Sequence, residues 1–459
     1  MSARTDTASS PVRVELRALF VLAAPLVVVN LGGLLIGAVD MAVVGRLGAA
    51  ELGGVGLGNT IFFAISTVGL GIMLGLDPLI SQAVGAREDV TASSLLRHGL
   101  LLAIGVGAFL AGVVVLVVES LGHLGIDAQT EALTGDYLSA RLVSMVPFLM
   151  MWAARSYLQS YSITRPMLSS VIWANIINLP TSWFLVFGDT GLNGLGLPSL
   201  GFDGLGVAGA GWATTLSIGI QLGILLLAVR KRHPAKEPTT RWDPVVFMRT
   251  FRLGLPVGLQ LLAEVGVFTI VTVLMGNLGK LPLAAHNVAM TLTSVTFMVP
   301  LAISSAAAVR AGQGVGARDQ GATRRAGWVS LASAASLSSL AALLFVVAGA
   351  PLAALLTSQS EVISAAAALL LIGALFQLPD NLQVVAAGVL RGMGDTRWPM
   401  VINIGCHYLV GLPIGIALAF GLDWGAAGLW WGLVAGLGFV SIPLVLRFVF
   451  LSQKLVARA

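Results

Sequence analysis

Cysteine is almost absent from this chain. Cys406 is the single one in 459 residues, so no internal disulfide can form and a thiolate metal centre is excluded. It falls inside a predicted helix and reads as a small core residue. Charge is equally scarce: 10% of the residues are Asp, Glu, Lys or Arg, against about a quarter in a soluble domain. The five histidines (His98, His123, His233, His286 and His407) show no ligand spacing, which argues against a metal site; His286, next to Asn287, reads as a hydrogen-bonding partner. No nucleophile elbow, metal-ligand set or paired catalytic motif occurs, so nothing points to an enzyme. What fills the chain is apolar: 57% hydrophobic residues, 55 glycines and a mean hydropathy of +0.92.

Apolar runs long enough to cross about 30 Å of hydrocarbon recur throughout. The pattern predicts an all-α membrane protein with twelve transmembrane helices, near 17–44, 52–82, 96–118, 132–153, 164–188, 205–229, 248–276, 283–310, 327–348, 361–389, 398–421 and 424–450. Abundant glycine suits helices that approach closely in lipid. Residues 1–16 are polar, and the apolar run after them exceeds that of a signal peptide, so a cytoplasmic N-terminal tail is expected. With both termini inside, 23 of the 26 basic residues fall on the inner side, leaving only Arg46, Arg141 and Lys280 outside. Topology therefore accounts for the pI of 9.8, and nucleic-acid binding is not needed.

The chain is also written twice. Shifted by 231 residues, Pro25 falls on Pro256, Gly45 on Gly276, Gln82 on Gln313, and Val84 to Arg87 on Val315 to Arg318. A shift of 232 sets Pro147 on Pro379, 233 sets Pro166-Met167 on Pro399-Met400, and 219 sets Trp212 on Trp431. Two pseudo-symmetric six-helix bundles follow, 17–229 and 248–450, joined by a polar cytoplasmic linker, 230–247, and followed by a cytoplasmic tail, 451–459. Six spans per copy make the repeats parallel, and paired bundles around a midplane site are a transporter architecture. The first copy's extra residues fall in a glycine-rich outer loop, 189–204. It lacks the lysine and preceding strand of a phosphate loop and reads as a flexible hairpin.

Most acids fall in loops or at helix ends, but four do not: Asp40, Asp77, Glu264 and Asp380. A carboxylate at the bilayer centre costs about 2.5–3.5 kcal/mol on insertion scales, so it is seldom present without a partner or a task. No lysine or arginine is predicted at comparable depth, which leaves a mobile cation: a proton, a sodium ion or a cationic solute. Gln260 sits one turn before Glu264. Asp380 follows Pro379, which frees the Leu375 carbonyl, and Gln377 and Gln383 flank it. Such oxygens suit a hard cation. Asp77, before Pro78, reads either as a functional acid or as a kink or cap. Asn175, Asn178 and Ser182 share one helical face, which either lines a cavity or bridges helices. The acids are not duplicated: Glu264 matches Gly33, Asp40 matches Val271, and Asp380 falls opposite Phe148.

The segments VDMAVVGRLG (39–48), SQAVGARED (81–89), GLPVGLQLLAEV (254–265), AGQGVGARD (311–319) and QLPDNLQVVAAGVLRGMGDTRWP (377–399) together resemble the multidrug and toxic compound extrusion (MATE) transporters, most closely the NorM-type bacterial branch. The resemblance spans about Leu16 to Phe450. It implies export of small cationic or amphiphilic organic substrates in exchange for Na+ or H+, from the bacterial inner membrane, by a monomer without a cofactor. It further implies coupling roles for Glu264 and Asp380 and cavity roles for Asp40 and Asn178. Ser182 stands where some branches carry an aspartate, Phe376 where some carry a tyrosine, and Asp77 lies outside the pattern. Export of a lipid-linked precursor or secreted metabolite stays open as the alternative. A major-facilitator carrier does not fit the loop GAREDVTASSLLRHG.

Overall fold

The computed structural model describes residues 11–194, 196–232, 243–454 and 456–459, and among these the regular structure is helical apart from one isolated bridge, Gly188 to Asp203. Helix α1 (Pro11–Val44) opens with proline at its first turn, where a missing N–H costs nothing. It starts six residues before the predicted span; most of the expected N-terminal tail lies outside the described residues. The helices α4 (Asp89–Ser120), α7 (Arg165–Gly194), α8 (Val207–Arg232), α9 (Pro244–Leu278), α10 (Lys280–Gly316), α11 (Gln320–Ala354), α12 (Ser360–Gly392) and α15 (Gly425–Ser452) follow the apolar runs. Eleven described helices are long and apolar enough to cross a membrane, and one bent pair brings the number to twelve. The core of the expected linker, 233–242, lies outside the described residues.

Three predicted spans prove irregular. The second divides at Gly75 into α2 (Ala49–Leu74) and α3 (Leu76–Gly85). The fourth is a pair, α5 (Ala128–Leu142) and α6 (Met145–Ser160), bent by 46°. At the bend the Ser144 amide and hydroxyl both turn back to the Arg141 carbonyl, at 2.9 and 2.6 Å. Asp127 caps α5 by accepting from the Thr130 N–H at 2.9 Å, which holds its carboxyl below the ordinary aspartate range. The eleventh runs from α13 (Arg397–Cys406) through α14 (Leu412–Ile416), with π-helical turns at 407–411 and 417–421. Pro413 lacks the amide that would serve the Leu409 carbonyl, so a regular ladder cannot continue there.

The described chain forms two compact units. One comprises Val28–Ile80 and Glu88–Val265; the other comprises the described residues of Met1–Val27 with Ser81–Arg87 and Gly266–Ala459. In the first, α5 packs on α2 and α8, α6 on α4 and α8, and α7 on α8. In the second, α12 is the hub, packed on α10, α11 and α15 around Phe345, Phe376 and Trp430.

The repeat is visible in the backbone. Arg87 and Arg318, one in each copy of the VGAR motif, both adopt positive φ (63° and 56°). Each closes its helix alike: the Arg87 amide reaches the Val84 carbonyl at 3.0 Å and that of Arg318 reaches Val315 at 3.0 Å. The outer loop departs from the flexible hairpin expected. Asp189 accepts three backbone N–H groups, from Leu200 (2.8 Å), Gly201 (2.8 Å) and Phe202 (3.2 Å), which pins the loop beside the Gly188 to Asp203 bridge. Three otherwise orphaned donors are thereby satisfied by one carboxylate.

Helices approach closely where α2 meets α9. A Cβ on Gly71 would lie 2.1 Å from the Gly258 backbone, and one on Gly258 would lie 2.6 Å from the Val68 carbonyl. Gly71→Ala should therefore lower stability by about 1–3 kcal/mol, as overpacking does. Gly33→Ala, with nothing within 4 Å, should be neutral or stabilising. Thermal melts of the two purified variants by intrinsic fluorescence check the contrast, and equal melting temperatures would refute it.

Candidate ion and substrate site

Asp40 lies near the end of α1, 4% exposed, and is answered by three helices. From α8, Thr214 donates its hydroxyl to Asp40 Oδ2. From α7, Asn178 Nδ2 reaches Oδ1 at 3.4 Å, with Ser182 one turn on beside the same carboxylate. From α5, Arg141 is near enough for the opposite charges to attract. The polar stripe of the fifth predicted span bridges helices: Asn175 Nδ2 also holds the α1 carbonyl of Gly32 at 3.0 Å. The described surroundings still leave Asn178 Oδ1, Ser182 Oγ and two guanidinium nitrogens of Arg141 without a hydrogen-bond partner.

The expectation that no basic residue lies at the depth of the acids is corrected by this structure. Arg141, predicted to face the outside, is buried at 8% exposure. Arg155, predicted at the inner surface, is buried as well; its Nη2 donates to Asn30 Oδ1 at 3.0 Å and its charge attracts Asp77. Span ends had been placed by hydropathy alone, and both arginines are stabilised by tertiary neighbours that hydropathy cannot see. Aromatic rings complete their seats, Phe62 under Arg141 at 4.2 Å and Trp152 under Arg155 at 4.4 Å. Asp77, in the first turn of α3, also accepts from Ser156 at 2.6 Å. Of its two readings the structure favours the architectural one.

Glu264 is half-buried on α9 and receives Gln260 Nε2 at 3.3 Å, so the predicted i, i+4 pair forms. Both belong to the first compact unit, whose border runs just after them at Val265. Asp380, 7% exposed on α12, belongs to the second. The amides that flank it are engaged with neighbouring helices. Gln377 Nε2 donates to Thr296 Oγ1 at 2.8 Å, Asn381 Nδ2 to Ser338 Oγ at 2.6 Å, and Asn403 Nδ2 to Gln383 Oε1 at 3.4 Å. Phe376 is buried among Phe268 (6.3 Å) and Trp430 (6.0 Å), an aromatic core position. Trp430 Nε1 donates to His286 Nδ1 at 3.2 Å, which leaves the proton on Nε2, facing Thr272 Oγ1 at 3.0 Å. His286 is thus the hydrogen-bonding partner its sequence context indicated. Cys406 is half-buried and donates to the Phe439 carbonyl at 3.2 Å, so it ties α13 to α15 and is not a sealed core residue. No group of three or more His, Cys, Asp or Glu able to hold a metal occurs among the described residues.

The MatE family model matches residues 25–184 and again 256–417, so the two matches begin 231 residues apart, the shift that relates the copies. This chain belongs to the MatE family. It is 34% identical over 448 residues to the probable multidrug resistance protein NorM of Deinococcus radiodurans, covering 96% of each. Against the multidrug resistance protein PmpM of Pseudomonas aeruginosa it is 30% identical over 458 residues, covering 97% of this chain and 93% of that one. The fold is shared with the crystal structure of the eukaryotic MATE transporter AtDTX14, with a TM-score of 0.86 at 22% identity over 97% and 98% of the two chains. An outward-facing multidrug resistance MATE family transporter gives 0.84 at 17% identity over 96% of each. The chain is a multi-pass membrane protein of this family.

Thr214, Arg141 and Arg155 were missed by sequence reasoning. The repeat held the signal for Thr214: at the shift of 219 it faces Leu433, a polar residue where the other copy is apolar. Asp77→Ala should strand the buried Arg155 charge at a cost of about 3–5 kcal/mol, because removing one partner of a buried pair leaves the other uncompensated. The double change Asp77→Ala with Arg155→Met should recover much of that loss. Yields of folded, monodisperse protein and melting temperatures test this, and a double variant no better than Asp77→Ala would refute it.

Proposed function

We propose that this MatE protein is a secondary active exporter of small organic, cationic or amphiphilic compounds, driven by exchange for Na+ or H+. The observation that carries the reading is the placement of Asp40, Glu264 and Asp380 within helices long and apolar enough to cross a membrane. Acids so placed cost too much to serve as ornament. A mobile cation that binds them better in one conformation than in another would bias the equilibrium between states, and that bias is how an ion gradient does work on a substrate. The names of the NorM and PmpM relatives, both multidrug resistance proteins, support the substrate class. In this reading the sequence copies 17–229 and 248–450 act as the two moving lobes. The inward bias of basic residues supports a cytoplasmic location for both termini and a place in the inner membrane of a bacterium. One chain carries both copies, so a monomer suffices.

Glu264→Gln and Asp380→Asn are each expected to reduce gradient-driven efflux by about tenfold or more while the protein still folds and inserts. Proteoliposomes with sodium and proton gradients imposed separately, and a panel of ethidium-like organic cations, measure this and name the coupling ion. Undiminished efflux by both variants would end the proposal. Transport of a lipid-linked precursor or an anionic metabolite in place of the cations would favour the alternative substrate class.

A further inference from the structure

The Asp40 cluster contains a cation of its own. Arg141 reaches it from the last turn of α5, with the guanidinium 4.2 Å above the Phe62 ring and Tyr137, one turn earlier, beside it. Two observations tie this side chain to the acid. A Cβ on Gly211 of α8 would lie 3.5 Å from Arg141 Cγ, and Thr214, three residues further along the same face, bonds Asp40. Thr215 Oγ1 holds the carbonyl of Ala140, next to Arg141, at 2.9 Å, which fixes α8 against α5 at this level. The charges of Arg141 and Asp40 attract, yet Nε and Nη1 of the buried guanidinium have no hydrogen-bond partner among the described residues.

The matching niche is filled differently in the second copy. The shift of 232 takes Arg141 to Gly373, and the shift of 219 takes Gly211 to Trp430. In the second copy the large group comes from the opposite helix: Trp430 Cζ3 lies 3.2 Å from where a Gly373 Cβ would be. Small and large have been exchanged across one helix contact. In the first copy the space is given to a charged side chain, which packs there at the expense of desolvation.

We propose that Arg141 is the resident cation of the Asp40 site and determines its ion specificity, holding the cluster at zero net charge and so excluding sodium from it. Asp40 is the only carboxylate among the residues described around this cluster; Asn178, Ser182 and Thr214 offer neutral oxygens. A sodium ion entering beside a fixed guanidinium would meet repulsion in a low-dielectric setting, where opposed charges count most. The inference deepens the antiport reading, on which the relevance of sodium rests. It assigns any coupling to a metal cation to Glu264 and Asp380, with Arg141 acting through Asp40 as a positioning residue.

Binding of radioactive sodium to the purified full-length protein tests this without measuring efflux, so failure of the transport reading and failure of this one are distinguishable. Wild type and Asp40→Asn are expected to bind sodium alike. Arg141→Gln should gain a site about tenfold or more tighter than any Asp40-dependent binding in wild type, abolished again in Arg141→Gln with Asp40→Asn. Arg141→Lys, which keeps the charge, should behave as wild type; a merely structural role for Arg141 would give neither the gain nor the rescue. Sodium binding in wild type that falls on Asp40→Asn overturns the proposal, and that comparison holds even where Arg141→Gln folds poorly. An Arg141→Gln protein that folds and shows no Asp40-dependent sodium site overturns it equally.

Discussion

A charge inside hydrocarbon has to be answered by another helix, because water is not there to do it, and this demand organises the first compact unit. Asp40 on α1 draws Thr214 from α8, Asn178 from α7 and the field of Arg141 from α5. Asp77 on α3 draws Ser156 and the field of Arg155 from α6. Six helices are thereby fixed in register by two carboxylates. The apolar side chains around them could slide past one another at little cost, since lipid tails are as apolar as leucine. Hydrogen bonds and ion pairs supply the specificity that the hydrophobic effect supplies in a soluble core.

The second compact unit meets the same problem largely with neutral groups, beside buried Asp380 and the ion pair of Arg310 with Glu15 at 2.7 Å. Its buried polar atoms run in chains, from Trp430 through His286 to Thr272, and from Asn381 to Ser338 and Gln377 to Thr296. Glycine does part of the work that charge does in the first unit. Gly411 and Gly415 bring the irregular span that contains α14 within backbone contact of Gly436 and Gly432 on α15. The π-helical turns on either side of α14 lie in that same stretch, where a widened backbone lets His407 aim Nδ1 at the Asn403 carbonyl, 3.0 Å away.

What could be read from the sequence follows from which interactions are local. The twelve spans came from apolar runs and the duplication from matched Gly, Pro and VGAR positions; both are carried by residues close in sequence. Asp40, Asn178 and Ser182 were legible because a polar residue in an apolar window announces itself. Thr214 did not, since Thr215 and Ser217 beside it are equally ordinary and only one of the three faces Asp40. Arg141 and Arg155 were assigned to opposite surfaces because they fall near predicted span ends. Their burial depends on Phe62, Asp40 and Asp77, distant in sequence, and on Trp152, one turn before Arg155. The break at Gly75 and the bend at Ser144 were invisible for the same reason: a hydropathy average is blind to where a helix axis turns.

The duplication shows what stands opposite the charged cluster in the other copy. Carried through the shifts, Asp40, Asn178, Ser182 and Thr214 become Val271, Gly411, Gly415 and Leu433. These four residues line one small, mostly apolar pocket in the second unit, together with Val267, Gly432 and a single polar side chain, His407. The same crossing of helices therefore exists twice, once filled with polar groups and once nearly empty and greasy. The scaffold does not require the charge, because the second copy folds its equivalent crossing without any. Four matched positions differ between the copies, and a fifth, Arg141 against Gly373, differs along with its packing partner. Replacing one of these residues alone would bury an unpartnered polar group at a cost of about 1–3 kcal/mol, so the polar set is selected as a unit or not at all. A polar set present in one copy and absent from the matching crossing of the other is one that the shared scaffold does not itself demand.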